Sequence, residues 1–256
     1  MARIDEFDRT WSRFRADSLV TAIANTAGRW EFPADAPALF ELYRRLYSAT
    51  DGAMSPLVGR ALENLGYDSA YTLRPNGGST TVPPWDEAFA WDGHALTTVQ
   101  PVSLDVGAAG KGYLVDIVAG MLAHAGHRQY TVDGSGDIRH CGPAPIRVAL
   151  EDPRDASLAI GIAQVHDGAI CSSASNRRVW GDGLHHVIDA TTGLPTRHVI
   201  ATWAIAGTAL EADGLATALF FADPERLASD FDFDYVRMFS TGRVELSPTF
   251  DGEMFT

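Results

Sequence analysis

Asp213 and Thr217 have the residue types and the spacing that most directly suggest chemistry in this 256-residue chain. They interrupt an otherwise apolar and small-residue run over 210–221. Four residues apart, they lie on one face of a helix, one turn from each other. A carboxylate and a hydroxyl converging from a buried helix are hard oxygen ligands. Such ligands suit Mg²⁺, which is usually held by a few protein oxygens together with substrate phosphates and water. The same pair also has a purely structural use: Asp213 capping a helix start, and Thr217 bonding back to a carbonyl one turn earlier.

Four other segments carry candidate chemistry. Over 104–116 a strand-like run passes through Gly107, Gly110 and Gly112 into a helix that starts near Lys111. The amides of such a turn and the positive end of the helix suit an anion. It is not a Walker A loop, since no Ser or Thr follows Gly110-Lys111, and a tight structural turn accounts for the same residues. Over 132–139, Gly134-Ser135-Gly136 forms either a ligand-facing turn or an ordinary loop of left-handed residues. Over 168–178 an apolar strand ends in hydroxyls and in Arg177 and Arg178. Their fork geometry fits a phosphate or ribose and equally a solvated surface pair. Over 184–195, His185 and His186 point to opposite sides of a strand and do not chelate together. His186 alone is either a general base near neutral pH or a satisfied core histidine.

The elements that must position these residues read as a mixture. Ile4, Phe7, Trp11 and Phe14 make one helical stripe, and Leu39, Leu42, Leu46 and Tyr47 another. Pro56 opens a short helix through Leu65, closed by Gly66. Further helices are expected at 111–124, before Gly126, and at 210–222, before Pro224. Strands are expected at 95–99, 102–106, 130–132, 146–150, 158–165, 186–189 and 199–206, with a hairpin over 235–246. Strands joined by short turns, with helices unevenly placed, predict an α+β fold. The Pro/Gly-rich stretch at 75–85 reads as a long loop and a division between two lobes.

Composition bounds the partners. A formal net charge of −13 argues against broad nucleic-acid or anionic-membrane binding, which needs a basic footprint. Cys141 and Cys171 lie far apart, with no CxxC pair, and fit a reducing compartment. The charged, amphipathic first residues lack a signal-peptide run, and no charge-free window reaches membrane-spanning length. A cytoplasmic protein is expected.

Taken in order, the segments resemble the FAD:protein FMN transferase family, the ApbE family. Asp105 to Asp116 is similar to its D-x-G-x-x-x-KG-x-x-x-D segment, and Ser135-Gly136-Asp137-Ile138 to its GGDI. Ser173 resembles its SG turn, and His186 to Pro195 its H-I-I-D-P-x-T-G-x-P. Ala212 to Ala218 resembles its A-D-A-L-A-T-A. Upstream, Phe7 to Phe14 with Asp17-Ser18, and Thr50-Asp51-Gly52-Ala53, resemble its D-x-x-x-S-x-F…S and T-D-G-A.

The resemblance implies one ApbE-like domain of largely antiparallel sheets and flanking helices, lacking the family's usual N-terminal strand. It also implies a Mg²⁺ site (Mn²⁺ being the alternative), FAD as substrate, and transfer of FMN to a Ser or Thr of an acceptor protein with release of AMP. An FAD pyrophosphatase and a non-catalytic flavin-binding protein are the alternatives. Carried over by motif, the metal ligands are Asp213, Thr217 and the carbonyl of Gly110, where the family commonly has alanine. Lys111 faces phosphate, His186 deprotonates the acceptor hydroxyl, and Asp189 helps hold its loop. FAD contacts are expected from Tyr67, Gly107, Lys111, Asp116, Ser173 and His186. Ala174, Asn176 and Ala190 depart from the pattern without removing a proposed ligand or base.

Overall fold

The computed structural model describes residues 2–255. The chain divides into two compact units. One runs through Ala108 and also takes in Arg178–Thr196; the other comprises Ala109–Arg177 and everything from Arg197 onward.

The first unit opens with α1 (Ala2–Trp11), α2 (Leu19–Asn25), β1 (Gly28–Glu31) and α3 (Ala36–Ala49). A 3₁₀ turn at Pro56–Val58 leads into α4 (Gly59–Asn64), followed by α5 (Trp85–Ala88), β2 (Ala90–Trp91) and β3 (Ala95–Thr98). The chain then builds much of the second unit: α6 (Gly110–His124), β4 (Tyr130–Asp133), β5 (Ile138–Cys141), β6 (Ile146–Asp152), β7 (Asp155–Val165) and β8 (Gly168–Ala174). It returns to the first for the short strands β9 (Val179–Trp180), β10 (Leu184–His185), β11 (Ile188–Asp189) and β12 (Leu194–Pro195). The second unit is completed by β13 (Val199–Ala206), α7 (Ala209–Ala218), α8 (Pro224–Leu227), β14 (Phe233–Phe239), β15 (Val244–Leu246) and β16 (Gly252–Met254).

In the second unit a six-stranded antiparallel sheet has the order β15-β14-β13-β8-β5-β4, and a three-stranded one the order β16-β7-β6. Leu150, Ile160, Val165, Ile170, Trp203, Val236 and Met238 pack together as its core. Apolar residues on the inner faces of the strands meet there, which is what antiparallel alternation produces. The first unit is held by aromatic packing. Phe40 stacks on Trp91 at 4.1 Å, and Trp11 and Phe32 approach at 4.9 Å. A second cluster joins Leu62, Leu65, Tyr67, Trp180 and Ile188. The α+β class with antiparallel pairing agrees with the expectation from sequence.

Four expectations differ in detail. The strand expected at 186–189 is reduced to Ile188–Asp189, which pairs with β12, and His186 lies in the bend before it. Residues 102–106 form no strand, because their backbone is taken by isolated bonds: Val102 N to Ile23 O and Asp105 N to Pro56 O. The helix expected at 210–222 ends at Ala218 and gives way to turns before α8. The loop at 75–85 lies within the first unit. Asn64 straps it down, donating from its side chain to Ser79 O and accepting Asn76 N on its backbone carbonyl. Among the described residues no helix is long and apolar enough to cross a membrane.

Candidate functional site

In the second unit, α6 and α7 cap each other. Asp213 on α7 accepts from the Gly112 amide in the first turn of α6 at 2.8 Å. In return Asp116 on α6 accepts from the Ala209 and Leu210 amides at the start of α7, at 3.0 and 2.8 Å. Thr208 completes the α7 cap by accepting from Glu211 N. First-turn amides have no partner within their own helix, so a carboxylate from the neighbouring helix satisfies them and meets the positive end of the dipole. Gly112 permits this approach: a Cβ there would lie 2.1 Å from Ala209 O and 2.7 Å from Asp213 Cβ. Asp213 does cap a helix, but α6 rather than its own. Both oxygens of Asp116 accept from the α7 amides, one bond each.

The space beside Asp213 is rich in negative charge. The Asp137 side chain, at the mouth of β5, is 0 % exposed and makes an ion pair with Lys111 Nζ at 3.0 Å. Beyond that ion pair only the Ser172 amide and the Cys171 thiol approach it, neither with the geometry of a full hydrogen bond. Lys111 reaches there from the start of α6 and also touches Ser135 O at 3.4 Å. Burial raises the pKa of Asp137, with Lys111 opposing it. Burial, then the charge of Asp137, lifts Asp213 well above the carboxylate range, against the Gly112 and Lys111 amides. Burial followed by both carboxylates likewise raises the Cys171 thiol, which donates to Ala209 O at 3.4 Å. With two buried carboxylates and one ammonium, Asp213 holds a proton unless a second cation lets both acids ionise.

These residues fit a divalent cation. Asp213 spends one bond on Gly112, and a carboxylate has about four lone-pair sites in all. The Thr217 hydroxyl, nearly buried, lies 3.1 Å from Ser173 Oγ across on β8. Gly110 is buried as the first residue of α6. Among the described residues no group of three His, Cys, Asp or Glu gathers to hold a metal. A site here therefore depends on carbonyl and hydroxyl oxygens beside the carboxylates, a donor set that favours Mg²⁺ or Mn²⁺ over softer ions. Ser173 also borders a cavity of about 160 Å³ lined by Gly136, Ser172, Asn176, Arg177 and Trp203. There Arg177 pairs with Glu151 at 3.1 Å. Arg178 belongs to the first unit and stands 5.6 Å over the Tyr67 ring, so the two adjacent arginines do not act as one anion clamp.

The first unit holds the other expected residues. His185 is consumed by structure: its ring meets Thr196 O at 2.7 Å and accepts Val187 N. His186, between β10 and β11, keeps a buried Nδ1 with no hydrogen-bond partner. Its pKa is lowered to about 4 by burial first, then by the charges of Arg178 and His185, with Asp105 opposing. It is therefore neutral at pH 7 and able to accept a proton. Asp189 accepts from Thr191 N and Oγ1 at 2.8 and 2.6 Å, which closes the loop below it. Gly193 in that loop has φ +68°, and a Cβ there would lie 2.1 Å from Thr80 O. The same loop, through Ala190 and Thr191, meets Asp51 and Gly52 at a cavity of about 200 Å³.

Tyr67 sits in an aromatic and basic cluster. It stacks on Trp180 at 5.7 Å and meets Phe14 edge-on at 5.3 Å, while Arg13 lies 4.9 Å over its ring. Trp180 is fixed by donating Nε1 to Leu65 O at 2.8 Å. Burial lifts the Tyr67 phenol to about 12, so it stays neutral. Arg13 pairs with Asp105 at 2.5 Å and donates to Tyr67 O at 2.8 Å, leaving a buried Nη2 with no hydrogen-bond partner. Although burial works against it, the Arg13 charge and hydrogen bond and the Gly107 amide hold Asp105 below the usual carboxylate range. The Gly107 amide donates to Asp105 Oδ1 at 2.7 Å, which closes the turn before α6. Sequence reasoning missed Arg13, Trp180 and the chemistry of Asp137. Only Asp137 carried a signal, as the acid that follows the left-handed pair Ser135 (φ +64°) and Gly136 (φ +96°).

The chain is 28% identical over 254 residues to a FAD:protein FMN transferase of Klebsiella pneumoniae, covering 88% of this chain and 70% of that protein. It is 26% identical to the protein of the same description from Escherichia coli, again covering 88% and 70%. The solved structure of the ApbE protein from Thermotoga maritima superposes with a TM-score of 0.84 at 25% identity, covering 95% of this chain and 86% of that one. The family model of the ApbE family matches residues 1–232. The chain belongs to the ApbE family.

Proposed function

We propose that this protein transfers FMN from FAD to a Ser or Thr hydroxyl of an acceptor protein, releasing AMP, with a divalent cation, Mg²⁺ or Mn²⁺, at Asp213, Thr217 and the Gly110 carbonyl. The observation that carries this reading is the buried, oxygen-lined space in which Asp213 and Asp137 share one lysine, in a member of this family. The bound cation supplies charge neutralisation on the pyrophosphate oxygens. Lys111 adds an ammonium that can turn from Asp137 to a phosphate oxygen, since its side chain is 47% exposed. Neutral His186 accepts the proton of the acceptor hydroxyl as its oxygen bonds to the FMN phosphorus and the bond to the AMP phosphate breaks. Tyr67, buried against Trp180 with Arg13 and Arg178 over its ring, is kept as an FAD contact through its cluster and not through a free ring face, and Ser173 supports Thr217. A cytoplasmic location is part of the proposal, supported by two free cysteines, Cys141 and Cys171.

Incubation with FAD and Mg²⁺, with and without a small acceptor domain, tests this. Transfer predicts fluorescent flavin on the acceptor after denaturation. Free FMN with AMP and an unlabelled acceptor would make the protein a pyrophosphatase, and unchanged FAD a flavin-binding protein.

The state of His186 makes a separate prediction. Acting as base from a folded-state pKa of about 4, it should leave kcat/KM nearly level from pH 8 to 6. An acid limb centred on 6.5 that vanishes in His186→Ala would contradict its buried, neutral state. The same shift bears on stability. Between pH 6.5 and about 4 the unfolded chain binds a proton that the folded chain refuses, so this contribution is complete above 6.5 and is lost on acidification. The loss amounts to about 3 kcal/mol at most, at 1.36 kcal/mol per pH unit. In urea melts His186→Asn should flatten that part of the profile relative to the wild type.

A further inference from the structure

We propose that Asp137 is a ligand of the divalent cation together with Asp213, and that Lys111 occupies the cation's place on Asp137 until the cation arrives. The inference rests on the cation site proposed above and adds to it a residue and an exchange.

Three observations support it. The Asp137 side chain is 0 % exposed and, beyond the Lys111 ion pair, is met only by loose approaches of the Ser172 amide and the Cys171 thiol, so its oxygens keep most of their acceptor capacity. Consecutive residues of one helix turn tie the two acids to one space: Lys111 Nζ holds Asp137 at 3.0 Å, and Gly112 N holds Asp213 at 2.8 Å. Asp137 enters from the strand side, since β5 pairs with β8, whereas Asp213 enters from α7. A cation between them is therefore gripped by two elements that are distant in sequence. Lys111 is the only residue in an ion pair with Asp137 among the described residues. Being 47% exposed, it can leave at little cost. Exchange would neutralise both acids with one divalent ion and free the ammonium for a phosphate.

Binding of Mn²⁺ to the flavin-free protein, followed by electron paramagnetic resonance and by thermal melting, tests the assignment. Asp137→Asn should weaken Mn²⁺ at least ten-fold. The same variant without metal should melt no lower than the wild type, because the burial of a carboxylate is relieved and the lysine left behind is 47% exposed. Lys111→Met, which removes the competing cation, should bind Mn²⁺ as tightly as the wild type or more so. Asp213→Asn should not bind it. Wild-type affinity in Asp137→Asn, with binding lost in Asp213→Asn, overturns the role of Asp137 and leaves the proposed cation site standing. Equal weakening by Lys111→Met and Asp137→Asn, with both melting lower without metal, makes the pair a structural salt bridge and also overturns it. Failure of the wild type to take up Mn²⁺ without flavin, in protein that transfers flavin, overturns the two-acid grip but not the transfer reaction.

Discussion

Asp213→Asn should reduce flavin transfer on the order of 10³-fold while leaving the protein folded, because it removes the charge but keeps an oxygen for Gly112. Losing a single preorganised electrostatic contact to a developing charge is worth about 10²–10³ in rate, and a metal ligand is at the upper end of that scale. The Asn side chain can still accept the amide bond that now measures 2.8 Å. Asp213→Ala cannot, and should lose both turnover and part of the α6 cap, about 1 kcal/mol of stability. Covalent flavin on the acceptor, measured beside a melting curve for each variant, separates the two effects. Full transfer by the Asn variant would remove Asp213 from the cation site.

The second large effect is on the fold that makes this site. Gly112→Ala places a methyl 2.1 Å from Ala209 O and 2.6 Å from Ala209 C. Both are backbone atoms, so no side-chain rotation relieves the clash, and α6 and α7 must separate. Overpacking of this kind typically costs about 1–3 kcal/mol, and the reciprocal caps of Asp213 and Asp116 are strained with it. The melting temperature should fall by several degrees and Mn²⁺ affinity should fall too. Gly120, in the same helix, has nothing within 4 Å of where a methyl would sit, so Gly120→Ala should be neutral or stabilising by up to ~1 kcal/mol. Equal melting of the two variants would mean that the helices are not in the tight contact described.

Local patterns were legible where local physics dominates. The stripe through Leu39, Leu42 and Leu46 marks α3, whose buried face contains all three. The glycine turn before Lys111 marks the start of α6. Residues 102–106 misled because an apolar alternation can be buried without a strand partner, and here it takes single bonds from Ile23 and Pro56. The histidine pair was half legible. The two histidines do differ, but not through alternation, since His185 ends β10 and His186 lies beyond it; packing uses up His185 on Thr196 and Val187 while His186 retains an unpartnered Nδ1.

The sequence alone determined which oxygens share a helix face, since Asp213 and Thr217 need only a 3.6-residue period, and it carried the ordered motifs that the family match over residues 1–232 bears out. Only the tertiary structure decided what those oxygens face. Asp213 caps a helix 101 residues away in the chain, Asp116 caps one 93 and 94 residues away, and Ser173 meets Thr217 across 44 residues. No periodicity encodes contacts at such separations. They follow from Gly112 allowing two helix ends to converge, and from the core beneath β8 and β13 bringing Asp137 beside them. Burial of two carboxylates against one lysine is then what the proposed cation site rests on.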